Sequence, residues 1–427
     1  VILEGKMGLS NIITKRNGIE VEFNSEKITS AIEKAGAQTG EFNDTEAAKL
    51  TQDVLELIEC SDYEKLTVEL VQDLVETALL KSEHKSTAKA YILYRDKRNQ
   101  ERRPNIFKHR LNLKPYEYPE LSQYKEAIQH SYWLHTEFNY TSDIQDFKVN
   151  VSDKERNVIK NAMLAIAQVE VAVKSFWGDL YHRLPKPEVG SVGYTFAESE
   201  VRHQDAYSHL LEILGLNDEF KKIEKIPELF QRVEYLTKGV ALARTGENKD
   251  YALSILLFSL FIEHVSLFSQ FLIIMSFNKH KNIFKGMSNV IEATSKEEQI
   301  HGLFGIDLIK IIRNEHPEWF NEHTEKMVIQ ACREAYESEE IVIDWIYESG
   351  DLDFLPKSLV KEFVKNRLNS SLRSIGYNSI FNIDEDVVEQ TEWFDTEIIA
   401  TKHGDFFVKR QINYSKRMQS ITGDDLF

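Results

Sequence analysis

The sequence predicts a mainly α-helical protein, a helical bundle preceded by a small α+β unit. Three observations lead there. Only 18 glycines and 8 prolines fall in 427 residues, which favours long uninterrupted helices over many short strands. From about Lys125 onward apolar residues recur three and four apart, the period of one helix face. In the opening residues, by contrast, two short runs of strand character flank Asn17-Gly18, a two-residue hairpin turn. The length suggests two or three units.

In chain order, the start VILEGKMGLSN is short and mostly polar, and Met7 reads as the natural initiator. Ile12 to Arg16 is strand-like, and Ile19 to Phe23 is its return strand. Asn24-Ser25 caps a short helix through Ala35, with Ile28, Ala31, Ile32 and Ala35 inward and Gly36 as its stop. Two amphipathic helices follow, about Thr45 to Ile58 and Leu66 to Lys81, and a fourth begins near Ser86. Asn99 to Pro119 mixes basic residues with three prolines and no clear period, so it reads as a linker or wrapping arm.

Within the bundle, Ser152-Asp153-Lys154-Glu155 is a capping box. Behind it Ile159, Ala162, Ile166, Val169, Val173, Phe176 and Leu180 share one side, and Glu170 lies inside that stripe. LPKPEVGSVG reads as a loop into a helix on which Phe196, Glu200, His203, Tyr207, Leu210 and Leu214 line up. Residues 218–240 read as a helical connection. Met287 to Ile312 repeats the alignment with Thr294, Glu298, His301, Gly305, Leu308 and Ile312. Two more helices are expected, around Glu325 to Ser349 and Pro356 to Ser374. Beyond Asn382 the chain is acidic and reads as irregular, ending in a mobile tail.

Tyr251 to Phe277 is long and apolar enough to suggest a membrane span. Glu263-His264 at its middle, Gln270 after them and the missing anchor residues favour the centre of a large bundle instead. The formal net charge of −17 argues against a surface that coats nucleic acid. Cys60 and Cys332 stand far apart without a CxxC spacing, so a reducing, cytoplasmic setting without disulfides is expected.

A carboxylate, an imidazole and a phenol where leucines belong need partners, because a lone buried carboxylate is costly. Glu200/His203 and Glu298/His301 are both Glu-x-x-His pairs, a spacing that by itself arises by chance. Context sharpens it. Both pairs lie on apolar stripes, and two other helices each bury one glutamate, Glu170 and Glu263. One Glu from each of two helices plus Glu-x-x-His from each of two more is the ligand set of a carboxylate-bridged dimetal site. Four carboxylates and two neutral imidazoles offset most of the charge of two divalent ions, and oxygen ligands suit iron and manganese. Asp179/His182, at a helix end before Pro185, is assigned to the surface. Tyr207, one turn beyond His203, faces the same site, either as a core tyrosine or as a redox-active phenol.

With that ligand order, residues 125–427 resemble the radical-generating small (beta) subunit of class I ribonucleotide reductase, a ferritin-like fold. The likeness extends to Tyr132-Trp133, to RLNSSLRSIGY at Arg367 to Tyr377, and to FFVKRQINYSKRM near the end. It implies a dimetal centre that reacts with an oxygen species and stores an oxidising equivalent. That equivalent would pass through His203, Glu297 and Trp133, then Tyr414, to a cysteine of the catalytic large (alpha) subunit, where ribonucleotides are reduced. The terminal GDDLF resembles the tail that docks that subunit. Glu170 and Glu297 stand where many members have Asp, and Leu-His-Thr-Glu follows Trp133 where x-Pro-Glu is common. The two glutamates depart from what a stable radical on Tyr207 needs, and manganese is therefore favoured over iron.

The first hundred residues resemble an ATP-cone through ITKRNG, FNSEKI, KLTVELV and AYILYR. By position, the resemblance places Ile13, Lys15, Arg16, Asn24, Lys27, Thr67 and Lys97 at an ATP/dATP site. Lys15, Arg16 and Lys27 gather positive charge at a hairpin and a helix start, where backbone N–H groups also favour phosphate. For a Lys-Arg pair without the rest of that pattern, solvated charge on a hairpin would be the reading. The implied organisation is a cone over 1–103, a linker over 104–124, a ferritin-like radical-generating domain over 125–381, and a mobile docking tail over 382–427. A homodimer, larger with dATP, is expected of the family, with no nucleic-acid or membrane partner. The rival readings are a stand-alone ferritin-like dimetal oxidase or oxygenase, and a non-catalytic nucleotide sensor or metal-storage protein.

Overall fold

Residues 12–15, 19–61, 63–102 and 104–399 are described by a computed structural model. The chain parts between Pro104 and Asn105 into two units. In the first, strands Ile12–Thr14 and Glu20–Glu22 pair antiparallel with Ile13 opposite Val21. The expected turn residues Arg16, Asn17 and Gly18 lie outside the described residues. Helices Glu26–Thr39, Asp44–Cys60, Val68–Lys81 and Lys85–Arg102 follow, the third capped by Thr67, which accepts the Leu70 N–H at 3.2 Å. The first helix does not stop at Gly36 but at Gly40, whose φ of +70° suits glycine. Gly36 serves packing instead, since a Cβ there would strike the Phe42 ring. Ile32, Ala47, Val54, Ile58 and Leu79 form the fully buried centre of this unit.

The second unit is a bundle. Its first stretch, Asn105 to Tyr118, has no regular element and is tied down by side chains. Arg110 pairs with Glu188, whose Oε1 also accepts the backbone N–H groups of Glu117 and Tyr118 at 2.9 and 3.2 Å. Lys186 reaches Glu117 at 2.7 Å.

Four long elements follow that matter most here. Asp153–Gly178 starts at the capping box, with both reciprocal bonds between Ser152 and Glu155 formed. The second helix is longer than expected, because LPKPEVGSVG is largely not a loop: Pro187 opens a helix that runs through Gly190 and Gly193 to Ile213. A Cβ at Gly193 would sit 2.7 Å from the Trp177 carbonyl, so the missing side chain is what lets these two helices close together.

The apolar 251–277 stretch is not one regular helix. It comprises Asn248–Leu257, a π-helical segment Phe258–Ser266, and Phe268–Lys281. Of its most apolar window 94% is buried within the protein, which makes it the central helix of the bundle. Lys285–Glu315 packs against it, and Glu322–Ile346 and Lys357–Ser374 complete the surround.

The stretch beyond Asn382 departs from the expectation of irregular chain. Glu385–Glu389 and Glu392–Ile399 are helical. Phe394 is fully buried against Phe363 and Phe268, at ring separations of 5.4 and 6.4 Å. Two such short helices show too little period in an acidic sequence to be seen without their packing partners. Residues 400–427, with Phe406-Phe407, Tyr414 and GDDLF, lie outside the described residues.

Candidate metal centre

The four long elements bring six side chains to one point. Glu170 comes from Asp153–Gly178, Glu200 and His203 from Pro187–Ile213, Glu263 from the π-helical segment, and Glu298 and His301 from Lys285–Glu315. None is more than 2% exposed. A π turn inserts one extra residue into a helix and re-aims the side chains around it, a device common at functional sites.

Their ligand atoms form two groups, Glu170/Glu200/His203/Glu298 and Glu200/Glu263/Glu298/His301, each with its atoms within 4.8 Å of one another. Glu200 and Glu298 belong to both. Oε2 of Glu200 lies 3.3 Å from His203 Nδ1 while its Oε1 lies 3.1 Å from His301 Nδ1. Oε1 of Glu298 lies 3.0 Å from His203 Nδ1 while its Oε2 lies 3.3 Å from His301 Nδ1. Each of these two carboxylates therefore turns one oxygen to each imidazole, the disposition of bridging ligands.

The donor set fits two cations on an independent count. Among the described residues, both oxygens of Glu170, Glu200 and Glu298, and Nδ1 of both histidines, are buried without a hydrogen-bond partner. Buried polar atoms are normally satisfied, so eight orphans at one point indicate a missing partner. Proton affinities agree. Burial raises Glu170 and Glu263 well above the usual carboxylate range, with the neighbouring carboxylates adding to it. Burial opposes the charged form of His203 and His301, but the surrounding carboxylates outweigh it and hold both well above the usual range. Without metal the site holds protons, which cations would displace.

The outward faces of the ligands are fixed. His203 Nε2 meets Glu297 Oε2 at 2.8 Å, and His301 Nε2 meets Ser199 Oγ at 3.0 Å, which leaves both Nδ1 atoms inward. Trp177 donates its indole N–H to Glu263 Oε1 at 2.8 Å. Sequence reasoning missed Ser199 and Trp177. A faint signal existed for both: Ser199 precedes Glu200 on a buried helix, and Trp177 follows Glu170 by two turns.

Tyr207 is 1% exposed, and its hydroxyl has no hydrogen-bond partner among the described residues, so no bond joins it to Glu170. Burial, and then the Glu170 charge, hold its phenol well above the usual range. The Trp133 and His203 rings are stacked, with centroids 6.0 Å apart and planes at 15°. Trp133 Nε1 has no partner among the described residues, so the link from Trp133 to this group is the stack and not a bond to Glu297. Asp179 and His182 are exposed.

In the first unit, Ile13, Lys15, Asn24 and Lys27 line one cavity of ≈ 190 Å³ together with Phe23 and Tyr91. An adjoining cavity of ≈ 460 Å³ shares Lys27 and Tyr91 and adds Lys34 and Arg95. Thr67 and Lys97 are not among the residues lining either cavity; Thr67 caps a helix and Lys97 is exposed.

Known proteins were compared with the chain. The profile of "Ribonucleotide reductase, small chain" matches residues 110–389, and that of "ATP cone domain" matches residues 11–100. A probable ribonucleoside-diphosphate reductase small subunit of invertebrate iridescent virus 3 is 26% identical over 334 residues, spanning 74% of this chain and 86% of its own length. Among solved structures, the ribonucleotide reductase R2 subunit from Clostridium botulinum superposes with a TM-score of 0.60 at 18% identity, covering 66% of this chain and 89% of that one. A Streptococcus sanguinis dimanganese(II)-NrdF superposes with a TM-score of 0.57 at 18% identity, covering 68% and 100%. The chain belongs to the ribonucleotide reductase small-chain family and carries an ATP cone domain ahead of the ferritin-like bundle.

Proposed function

We propose that this protein supplies the oxidising equivalent for ribonucleotide reduction, with Glu170, Glu200, His203, Glu263, Glu298 and His301 holding two transition-metal ions. The observation that carries the reading is the sharing of Glu200 and Glu298 between two ligand groups whose buried atoms lack other partners. When bound, such a metal pair supplies redox chemistry that no amino-acid side chain has by itself. The chain's own residues do the rest. Glu297 and Ser199 orient the imidazoles, Trp177 holds Glu263, and the apolar shell of Phe196, Phe258 and Phe304 excludes water. His203 and Trp133 form the start of a route outward, which would continue to Tyr414.

Manganese is favoured over iron. Supporting this, the Tyr207 hydroxyl makes no bond to Glu170, so a stabilised radical on that phenol lacks its usual anchor. The dimanganese form of a protein with the same fold is compatible with it. Metal analysis with electron paramagnetic resonance of the activated protein tests both points. Two ions per chain with a multiline manganese signal are expected, and a narrow tyrosyl signal would refute the manganese reading.

The cone binds ATP and dATP in the cavity lined by Ile13, Lys15, Asn24 and Lys27. The protein works as a cytoplasmic homodimer with a catalytic large subunit, and dATP shifts it to larger assemblies. Calorimetry with both nucleotides and light scattering with and without dATP test this, absence of binding refuting it.

A further inference from the structure

Beside the candidate ligands lies a buried arginine with no counterpart in the motif reasoning. Arg202 is 4% exposed and sits one residue before His203. Its guanidinium faces the Glu297 carboxylate with Nη1 at 3.1 and 3.2 Å from the two oxygens and Nη2 at 3.1 Å from Oε1. Nε bonds both oxygens of Glu198, at 3.2 and 3.0 Å, and Nη1 also reaches the Trp133 carbonyl at 3.4 Å. The guanidinium carbon lies 4.6 Å from the Tyr132 ring centre and 5.6 Å from that of Trp133. One planar cation thus ties together the Trp133 loop, the Glu200 helix and the Glu298 helix.

Glu297 is fully buried and stands between this cation and His203. A buried carboxylate needs a compensating charge, and the fork of Arg202 supplies it in a fixed plane. That plane leaves Glu297 Oε2 aimed at His203 Nε2, while the bond to the Trp133 carbonyl and the contact with the indole face hold Trp133 against the His203 ring. A glutamate is longer than an aspartate and has one more rotatable bond to restrain. Arg202 is the restraint.

We infer that Arg202 is a positioning residue: it fixes Glu297 as the hydrogen-bond partner of His203 and holds Trp133 in its stack. This rests on the reading of His203 as a metal ligand. Its effect on metal comes through Glu297, so removing the fork and removing the carboxylate should cost the same thing once.

The test is Mn(II) titration of the full-length, metal-free protein, following free Mn(II) by electron paramagnetic resonance. Wild type should take up two ions. R202M should weaken uptake roughly tenfold, the usual effect of losing an outer partner of a ligating histidine. R202K should rescue it in part, because lysine keeps the charge without the fork. E297Q and the pair R202M/E297Q, which leaves no unpaired buried charge, should match each other. The emission of Trp133, taken as the difference from W133F, should shift in R202M. Uptake by R202M equal to wild type, or losses in R202M and E297Q that add in the pair, would overturn the inference. Wild type taking up no Mn(II) would instead overturn the metal reading on which it rests.

Discussion

Trp177 and Glu263 are joined by an indole N–H···Oε1 hydrogen bond of 2.8 Å inside the bundle, the indole fully buried and the carboxylate 2% exposed. The two residues come from different helices, and Glu263 stands on the π-helical segment. In Trp177→Phe an aromatic ring is kept, while the bond and the buried volume of the pyrrole ring are lost. Unfolding in urea should show a loss of about 2–4 kcal/mol, the hydrogen bond and the cavity together. Mn(II) uptake should weaken roughly tenfold. Unchanged uptake would mean that Glu263 is held by its helix and not by Trp177.

The shared and unshared carboxylates should behave differently. Glu200→Ala and Glu298→Ala each remove a member of both ligand groups, so each should lose both ions. Glu170→Ala should keep the ion on the His301 side, and Glu263→Ala the ion on the His203 side. Inductively coupled plasma analysis of the purified variants counts ions per chain. Equal losses in all four would show that the bridging assignment is wrong.

Lys27 lines both cavities of the first unit. Lys27→Ala should weaken ATP and dATP binding roughly tenfold or more, the cost of losing a charged hydrogen bond to phosphate. It should leave the metal count of the bundle at its wild-type value. Calorimetry for nucleotide and metal analysis on the same sample separate the two effects.

The two cysteines are both free, Cys60 exposed and Cys332 buried. Burial pushes the Cys332 thiol up to about 12, so at pH 8 it is protonated as well as enclosed. A thiol reagent at that pH should modify one cysteine quickly in the native protein and the second only after denaturant is added. Fast reaction of both would contradict the packing around Cys332.

Much of the fold was legible because helical period and turn chemistry are local. The hairpin partners, the capping box at Ser152 and the inward stripe of the Glu200 helix all follow from residues within a turn or two of one another. Several misreadings share a cause. Gly36 looks like a helix stop, and Gly190 and Gly193 look like loop residues, in isolation, but each is a place where another part of the chain closes in, Phe42 on Gly36, Tyr181 on Gly190 and Trp177 on Gly193. A glycine kept for close approach cannot be told from a glycine kept for a turn without the neighbour. The helices at 385–399 failed for the same reason, since Phe394 is a core residue only once Phe363 and Phe268 are beside it.

The sequence determined that the two Glu-x-x-His pairs and Glu170 lie on apolar stripes, because residues three and four apart share a helix face wherever the helix is placed, and that Glu263 lies inside an apolar stretch. Which carboxylates serve both imidazoles was decided only by tertiary structure. Glu200 and Glu298 each face both imidazoles because their helices set His203 and His301 on opposite sides of the same two side chains, so these two would be the ones to bridge a metal pair. The anchoring of Glu263 by Trp177 and of Glu297 by Arg202 was likewise out of reach of any periodicity, for both bonds cross between helices distant in sequence, and a hydrogen bond depends on position in space.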